Sequence, residues 1–286
     1  MQSLVVYKLE SPVEVVAEML EQKLFRECGA NDMSTNGFHP TVTGDLVIDL
    51  LGGNKMLCFA TQQKKPAKGE IKKGVDLRTT QHVAEFGVPP EKEEIAAMKE
   101  EVIWELLPKT GVDEVKLASV LITPEFVYVE GNYKKAEVIT DVLRDCLGSL
   151  PITLIDTAKD VSDTLTRFVG EQVSDKFTLM DKCQLVTAED RKIGVAKDLY
   201  DSEAVDLVEA GAKVKSVQLE YDGIMSLTVK DDLSLSGIKI YPALTSEFDE
   251  EEIVPKLEKQ MTELDKMFKE LLAEMGGILD GETKDC

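Results

Sequence analysis

The sequence predicts an α+β fold, in which antiparallel sheets are built from repeated hairpin-helix units and a long helix lies near the C-terminus. Two observations support this class. The β-prone segments come in adjacent pairs around short turns, whereas a βαβ fold would alternate strands strictly with helices. Near the C-terminus, apolar residues recur in alternating steps of four and three, which is the period of a helix.

The first predicted elements are a strand and a helix. The segment LVVYKL is short, apolar and β-prone, which is typical of a strand. Ser11-Pro12 then supplies a cap and a first-turn proline for a helix that we expect to run to about Phe25. The next segment, CGANDMSTNGFHPTVTG, is dense in Gly, Asn, Ser and Pro and therefore predicts a loop.

Two hairpin-helix units follow. The first hairpin is predicted from DLVIDLL and KMLCFAT, which flank Gly52-Gly53-Asn54, and its helix from EKEEIAAMKEEVIWELLPK, whose apolar residues share one face. The second hairpin is predicted from KLASVLIT and EFVYVEG. Its helix is predicted from KKAEVITDVLRDCLGSLP, which ends at Gly148.

The second half of the chain repeats this mixture of strands and helices. Strands are predicted near Ile152, in FTLMDKCQLV and in RKIGVAKDL, with short helices near 161–169 and 202–210. A further hairpin is predicted where AKVKSVQLEY and GIMSLTVKDD are joined across Asp222-Gly223.

The long C-terminal helix carries one apolar stripe. The stripe consists of Leu257, Met261, Leu264, Phe268, Leu271 and Met275. Its heptad spacing permits a coiled-coil seam with a partner subunit, and packing on the helix's own domain is the other interpretation.

Composition limits the class of protein. The 286 residues carry a formal net charge of -21, and no apolar run approaches the roughly 20 residues needed to cross a bilayer. The N-terminal sequence lacks the features of a signal peptide, so we expect a cytoplasmic protein. The five cysteines are far apart and there are only two histidines, which predicts reduced thiols and no metal or other cofactor.

No common catalytic motif is present, and the sequence therefore predicts a protein that is not an enzyme. The alternative is a Mg²⁺-dependent nuclease that uses Asp231-Asp232, or Glu220 with Asp222, because two-metal sites need clustered carboxylates. The same residues also suit the turns of a hairpin, where Asp is common.

Positive charge gathers in the segment QQKKPAKGEIKKGVDLR, which we call the basic segment (residues 62–78). One interpretation is a solvated loop whose lysines balance nearby acids. The other is a surface that contacts phosphates without reading sequence, assisted by lysines at the ends of other elements. The residue types alone leave both interpretations open.

Several segments, taken in order, resemble the family of the bacterial recombination-associated protein RdgC across nearly the whole chain. They are LVVYKL, the CGANDMSTNGFHP loop, EEVIWELLPK, KKAEVITDVLRDCLGSLP, KDL at residues 197–199 and EAGAKVKSVQLEYDGIMSLTVKDDLSL. The chain departs from the family's pattern at Phe86–Pro90 and at Thr110-Gly111, as a diverged or phage-borne member would.

The resemblance implies an elongated, curved subunit that forms a ring-shaped homodimer around double-stranded DNA, with little sequence preference. It further implies antagonism of the recombinase RecA, whose access to DNA the ring limits, and association with the nucleoid. Within one RdgC-like domain, residues 1–156 would form an N-terminal portion with the basic segment, and residues 157–286 a C-terminal portion with dimer contacts. Basic residues would then face the channel while the acidic excess lies outside.

The resemblance and the charge pattern together predict two sets of functional residues. The expected DNA contacts are Lys64, Lys65, Lys68, Lys72, Lys73, Arg78, Lys109, Lys116, Lys134 and Lys135. The expected dimer contacts are Lys197, Asp198 and Leu199. The alternative function is that of an acidic protein-binding regulator, which contacts a recombination enzyme directly and has weak DNA affinity.

Overall fold

One antiparallel sheet of 12 strands organises the computed structural model, which describes residues 3–170, 174–196, 199 and 203–279. The strands are β1 (Ser3–Leu9), β2 (Ser34–His39), β3 (Val47–Asp49), β4 (Lys55–Gln63), β5 (Lys116–Ile122), β6 (Phe126–Glu130), β7 (Ile152–Leu154), β8 (Phe177–Val186), β9 (Lys192–Ala196), β10 (Lys213–Tyr221), β11 (Met225–Lys230) and β12 (Leu235–Ile240). Their order across the sheet is β2-β4-β5-β6-β1-β12-β11-β10-β8-β9, with β3 beside β4 and β7 beside β1.

The helices of the described residues lie between these strands and after them. They are α1 (Ala17–Leu20), α2 (Lys68–Phe86), α3 (Lys92–Leu106), α4 (Tyr133–Leu147), α5 (Val161–Gly170), α6 (Glu203–Glu209) and α7 (Ile253–Glu274). This is an α+β fold, as predicted, and its strands form one continuous sheet.

The sheet has a hydrophobic core on each face, because side chains alternate along a strand. In β1, Leu4 and Val6 belong to one core, while Val5 and Tyr7 belong to the other. The helix α7 covers the first core and α4 covers the second. The face to which a residue belongs is therefore fixed by its parity along the strand.

The C-terminal helix α7 packs on its own sheet. The Phe268 ring meets the rings of Phe126 and Tyr128 edge to face, with centroids 5.4 and 5.7 Å apart. The Tyr128 hydroxyl donates a hydrogen bond of 2.8 Å to Asp265 Oδ1. The apolar stripe thus serves the first core, and the coiled-coil interpretation is wrong for these residues.

Most predicted elements are confirmed. The hairpins β3–β4, β5–β6 and β10–β11 form with antiparallel register, and helices α3, α4, α5, α6 and α7 lie where the apolar periodicity placed them. The strand β12 was not predicted; it completes a meander after β11. The expected division into an N-terminal portion (1–156) and a C-terminal portion (157–286) stays a prediction. Strands from both portions share the sheet, as β1 does with β12.

The helix predicted from Ser11 to about Phe25 is wrong over most of that range. The structure has only the four residues of α1 and a short 3-10 turn, Glu21–Lys23. Val13, Val15 and Val16 precede this turn, and β-branched side chains lose rotamer freedom in a helix. Val15 is fully buried in the second core from its non-helical backbone.

The loop predicted for CGANDMSTNGFHPTVTG contains the strand β2, which pairs with β4 along its whole length. A Cβ on Gly37 would lie 2.6 Å from the Lys23 carbonyl oxygen and 2.6 Å from the Phe25 nitrogen. Gly37 is therefore required by the close approach of the 3-10 turn, although its sequence context suggested a loop.

Two general expectations can be compared with the structure. No helix within the described ranges is both long enough and apolar enough to span a bilayer. The four described cysteines are free thiols, of which Cys146 and Cys183 are buried, as the sequence predicted; Cys286 lies outside the described residues.

Candidate nucleic-acid interface

The basic segment continues into a helical hairpin, and the loop interpretation is wrong from Lys68 onward. Helices α2 and α3 pack against each other, and their contacts run in opposite order: Gly74 approaches Val102, and His82 approaches Glu94. We call residues 68–106 the arm. All 19 residues of α2 are exposed or half-buried, so the arm stands away from the two cores.

Sequence features explain the shape of the arm. Gly87 adopts φ 72°, which ends α2 in the left-handed conformation that favours glycine. A capping box begins α3, since the side chains of Glu91 and Glu94 each accept from the other residue's backbone N–H. Residues 86–90, where we expect a departure from the family pattern, thus form the tip of the arm.

The two helices meet closely near the base of the arm. A Cβ on Gly74 would lie 2.6 Å from Val102 Cγ1, which shows that the glycine permits this contact. Arg78 bridges to α3 through ion pairs with Glu101 and Glu105, the second at 2.7 Å. The predicted DNA contact Arg78 is therefore occupied in holding the helices together.

Charge is segregated along the arm. Residues 64–78 contain six basic and two acidic side chains, whereas residues 79–106 contain two basic and seven acidic side chains. Because α3 returns to the base, residues 99–106 belong there as well: the base then carries seven basic and five acidic side chains, and the tip, residues 79–98, carries one basic and four acidic. An acidic tip repels phosphates, so any nucleic-acid contact belongs at the base.

Lys64 is a structural residue and is 7% exposed. Its Nζ donates to the carbonyl oxygens of Gly29, at 2.6 Å, and Ala30, at 3.1 Å. Its backbone nitrogen donates to the Met33 carbonyl at 2.8 Å. Lys64 therefore ties the loop before β2 to the end of β4, and its side chain is not available for phosphate.

A groove of 630 Å³ lies at the base of the arm, and we call it the arm groove. Its lining includes Lys65, Lys68 and Lys72 of the basic segment, together with Lys99 of α3. With the buried Lys64, the structure thus brings together four predicted DNA contacts and a fifth lysine, Lys99, that sequence reasoning missed.

A second cavity, of 320 Å³, lies between β4, β5 and the start of α4, and we call it the lysine cavity. Lys116 comes from β5, while Lys134 and Lys135 come from the first turn of α4, which is capped by the side chain of Asn132. Three predicted DNA contacts from two distant segments therefore meet here. Asp113 and Glu114 also line the cavity and partly offset this charge.

Lys135 is half-buried, and its environment changes its acidity. Removal from water lowers the pKa of the Lys135 ammonium, and the neighbouring cation of Lys116 lowers it further, while Glu130 acts in the opposite direction. A bound anion would supply the compensating negative charge. The three lysines of the lysine cavity outnumber its two carboxylates, Asp113 and Glu114, and this excess of positive charge favours an anion.

The lysine cavity and the arm groove flank the end of β4. Gln63, the last residue of β4, lines the lysine cavity, while Lys64 and Lys65 line the arm groove. The Asp113 backbone nitrogen donates to the Gln63 carbonyl at 2.8 Å, which holds the chain returning from the arm against this strand end. The two lysine groups therefore belong to one region of the surface.

The remaining predicted contacts are more scattered. Lys73 is exposed on α2 outside the groove lining, and Lys109 is exposed in a short 3-10 turn after α3. Lys197 and Asp198 lie outside the described residues. Leu199 is 1% exposed and packs in the first core of its own chain.

Three carboxylates of the nuclease alternative are engaged in contacts within the sheet and its turns. Asp231 pairs with Lys215 at 2.8 Å, and Asp232 Oδ1 accepts from the Ser234 nitrogen at 2.9 Å. Glu220 accepts from the Tyr241 hydroxyl at 2.7 Å. In the part of the chain that the structure describes, no three His, Cys, Asp or Glu side chains are grouped as metal ligands.

Sequence reasoning missed Lys99 and the apolar residues Met33, Ile71, Val75 and Ile103 of the arm groove. The sequence does contain a pattern that predicts a helix here. Lys68 and Lys72 are four residues apart, as are Ile71 and Val75, so each pair would share one helical face. Gly69 and Gly74 concealed it, since glycine disfavours helix.

Comparison with known proteins gives a consistent result. The family model described as "Putative exonuclease, RdgC" matches residues 1–282. The recombination-associated protein RdgC of Shewanella sediminis is 25% identical, with 97% of this chain and 98% of that protein covered. The proteins of the same name from Sodalis glossinidius, 26% identical with 96% of both chains covered, and Proteus mirabilis, 28% identical with 87% and 86% covered, agree. The chain belongs to the RdgC family.

Proposed function

We propose that this protein binds double-stranded DNA without sequence preference, encircles it as a ring-shaped homodimer, and modulates recombination by limiting the access of RecA. The observation that carries the proposal is the meeting of Lys116, Lys134 and Lys135 at one cavity, beside the lysines of the arm groove, in a chain of net charge -21. Membership of a family whose relatives are named recombination-associated supports it.

The chemistry suits phosphate rather than base edges. Lysine ammonium groups are compact charges that neutralise phosphates and release counterions, and they read no sequence by doing so. Among the described residues, seven of the predicted contacts make no ion pair, so their charge is available to a ligand. They are Lys65, Lys68, Lys72, Lys73, Lys109, Lys116 and Lys134.

A ring would make modest contacts effective. Because release would require sliding off an end or opening an interface, enclosure gives a long residence time. The proposed subunit contact involves Lys197 and Asp198, which lie outside the described residues; the next residue, Leu199, is buried in the first core. Such a protein would be found with the nucleoid.

The test is the salt dependence of duplex binding. Replacing Lys116, Lys134 and Lys135 together with Gln should reduce the slope of log affinity against log salt by about 2 to 3 units, since each lost phosphate contact removes about 0.9. The control replaces Lys23, Lys176 and Lys213, which are ion-paired with Asp145, Glu270 and Asp163. Equal slopes for both variants, or binding indifferent to salt, would contradict the proposal.

The dimer is tested by sedimentation equilibrium. We expect twice the chain mass of 31.6 kDa. If Lys197 of one subunit meets Asp198 of the other, Lys197→Asp should weaken the dimer and Lys197→Asp/Asp198→Lys should restore it. If the wild-type protein sediments as a monomer under conditions where it binds duplex, the ring is overturned.

Strand exchange by RecA separates this proposal from its alternatives. Inhibition should disappear at salt concentrations where duplex is no longer bound. Inhibition that persists there would instead support the acidic protein-binding regulator. Duplex cleavage that EDTA abolishes and Asp232→Ala removes would support the nuclease.

A further inference from the structure

The arm groove has a feature that phosphate binding does not use, namely an apolar floor. Met33, Ile71, Val75 and Ile103 line it, and Met33 is 46% exposed. Phosphate contacts make no use of these four apolar side chains, because phosphates offer charge and hydrogen-bond acceptors. A concave apolar surface with a polar rim is typical of a site that binds a partner.

The floor is bordered by cations in a regular way. On α2, Lys68 and Lys72 lie four residues apart on one stripe, and Ile71 and Val75 lie four apart on the next. On α3, Lys99 and Ile103 are also four residues apart and lie on one helical face. A groove with an apolar centre and a basic rim is therefore built by helical periodicity from both helices.

The wall opposite the arm is held in place. Lys64 fixes the loop that carries Met33, through its bonds to the carbonyl groups of Gly29, Ala30 and Met33. A wall that is already ordered loses little conformational freedom when a ligand binds. The groove is thus formed before any partner arrives.

From these observations we propose that the arm groove is a docking site for an acidic peptide segment of a partner protein, one that carries apolar side chains among its Asp and Glu residues. The apolar side chains would cover the floor, and the carboxylates would meet Lys65, Lys68, Lys72 and Lys99. The lining also holds one acid, Asp76.

The net charge of the chain gives this site its selectivity. An acidic peptide is repelled by most of a surface whose formal charge is -21, and the base of the arm is where residues 64–78 reverse the sign. Repulsion elsewhere directs such a ligand to the basic surfaces, and the apolar floor then favours the arm groove, so specificity arises from unfavourable as well as favourable contacts. The inference does not depend on DNA binding.

The experiment uses the full chain and fluorescence anisotropy. The probe is a fluorescein-labelled peptide in which Leu and Phe alternate with Asp and Glu, and the comparison probe is polyglutamate of the same net charge. We expect the first to bind at least about tenfold more tightly than the second. Equal affinity would show that only charge acts, and would overturn the proposal.

Variants separate the floor from the rim. Ile71→Ser/Val75→Ser should weaken peptide binding at least about tenfold and leave duplex affinity within about twofold. The matched control is Leu77→Ser, on α2 and 61% exposed but outside the groove, which should change neither. A floor variant that lowers duplex and peptide affinity equally would make the groove part of a DNA surface and contradict the proposal.

A second variant keeps the test independent of folding. Lys65→Gln/Lys68→Gln/Lys72→Gln alters exposed side chains only, and should weaken peptide binding while circular dichroism is unchanged. Unchanged peptide affinity would overturn the proposal. Sedimentation of the floor variant checks the occupant, because a dimer that dissociates on this change would assign the groove to a second copy of the chain.

Discussion

Lys135 shows how one residue can report on a binding surface. It comes from the first turn of α4, it is half-buried, and burial together with Lys116 lowers the pKa of its ammonium group. The protonated form of Lys135 is therefore less favourable than that of an exposed lysine. An approaching anion would stabilise this protonated form. Binding of phosphate should therefore raise the pKa of Lys135, so that the bound protein keeps this proton to a higher pH than the free protein.

The pH dependence of duplex binding tests this. An ordinary lysine loses its proton near about pH 10.4, and Lys135 loses it earlier because its pKa is lowered. Affinity should therefore fall as the pH is raised toward that value, and the early part of the fall should be absent in Lys135→Gln. Parallel profiles for the two proteins, measured by anisotropy, would show that Lys135 carries no charge relevant to binding.

Gly37 has a steric role that a stability measurement can isolate. Gly37→Ala should lower the free energy of unfolding by about 1 to 3 kcal/mol, because the new methyl group would meet the backbone of Lys23 and Phe25. The matched control is Gly194→Ala, also in a strand, where nothing lies within 4 Å. Equal denaturation midpoints for the two variants would refute the close-approach argument.

At the scale of elements, the arm is held together mainly by contacts between its own helices. Val102 is the one buried residue of α3, and its methyl groups occupy the space that a side chain at position 74 would need. We expect Gly74→Ala to separate the helices at the base, while Gly69→Ala, in open space on the same helix, has no such effect.

Hydrogen exchange tests whether Gly74→Ala separates the two helices. Amides of α2 and α3 should exchange faster in Gly74→Ala, and those of β1 and β6 should keep the wild-type rate, because the arm adds little to either core. Faster exchange throughout the sheet would show that the arm and the sheet unfold together.

The elements that could be predicted from the sequence are those with a strong local pattern of apolar residues. Helices α4 and α7 were found because their apolar residues repeat on one face and are buried there. Helix α2 was missed because it has no buried face to create such a pattern and contains Gly69 and Gly74. The strand β2 was missed because its glycine serves a contact with a distant turn.

The site was predictable in its residue types but not in its grouping. The sequence singled out the lysines by charge, and the structure divides them among a cavity, a groove, an ion-paired Arg78 and a buried Lys64. That division depends on the pairing of β4 with β5 and on the path of the arm between them. Both are contacts between distant segments, which local periodicity does not encode.

At the scale of the whole molecule, the arm is an insertion between neighbouring strands. Thr61 of β4 pairs with Lys116 of β5, and Lys64 forms a bridge with Val112, so the chain leaves and re-enters the sheet at nearly the same place. The connection could therefore be closed by a short linker without moving either strand.

Deleting the arm tests how independent it is. Replacing residues 68–106 with a short Gly/Ser linker should preserve the far-ultraviolet signal of the sheet and a cooperative thermal transition. Duplex affinity should fall, since Lys68, Lys72 and Lys73 are removed. A chain that fails to fold would show that the arm is part of the structural unit; unchanged duplex affinity would remove these lysines from the proposed interface.

The pairing of β1 with β12 has a consequence for synthesis. Ser3 of β1 pairs with Ser236 of β12, so β1 must wait for a strand that is synthesised on the order of tens of seconds later, at about 5–20 residues per second. Until α7 is also complete, Leu4, Val6 and Tyr128 lack their covering helix. A nascent chain of this protein therefore carries an open strand edge and an uncovered apolar face for most of its time on the ribosome, when it depends most on chaperones.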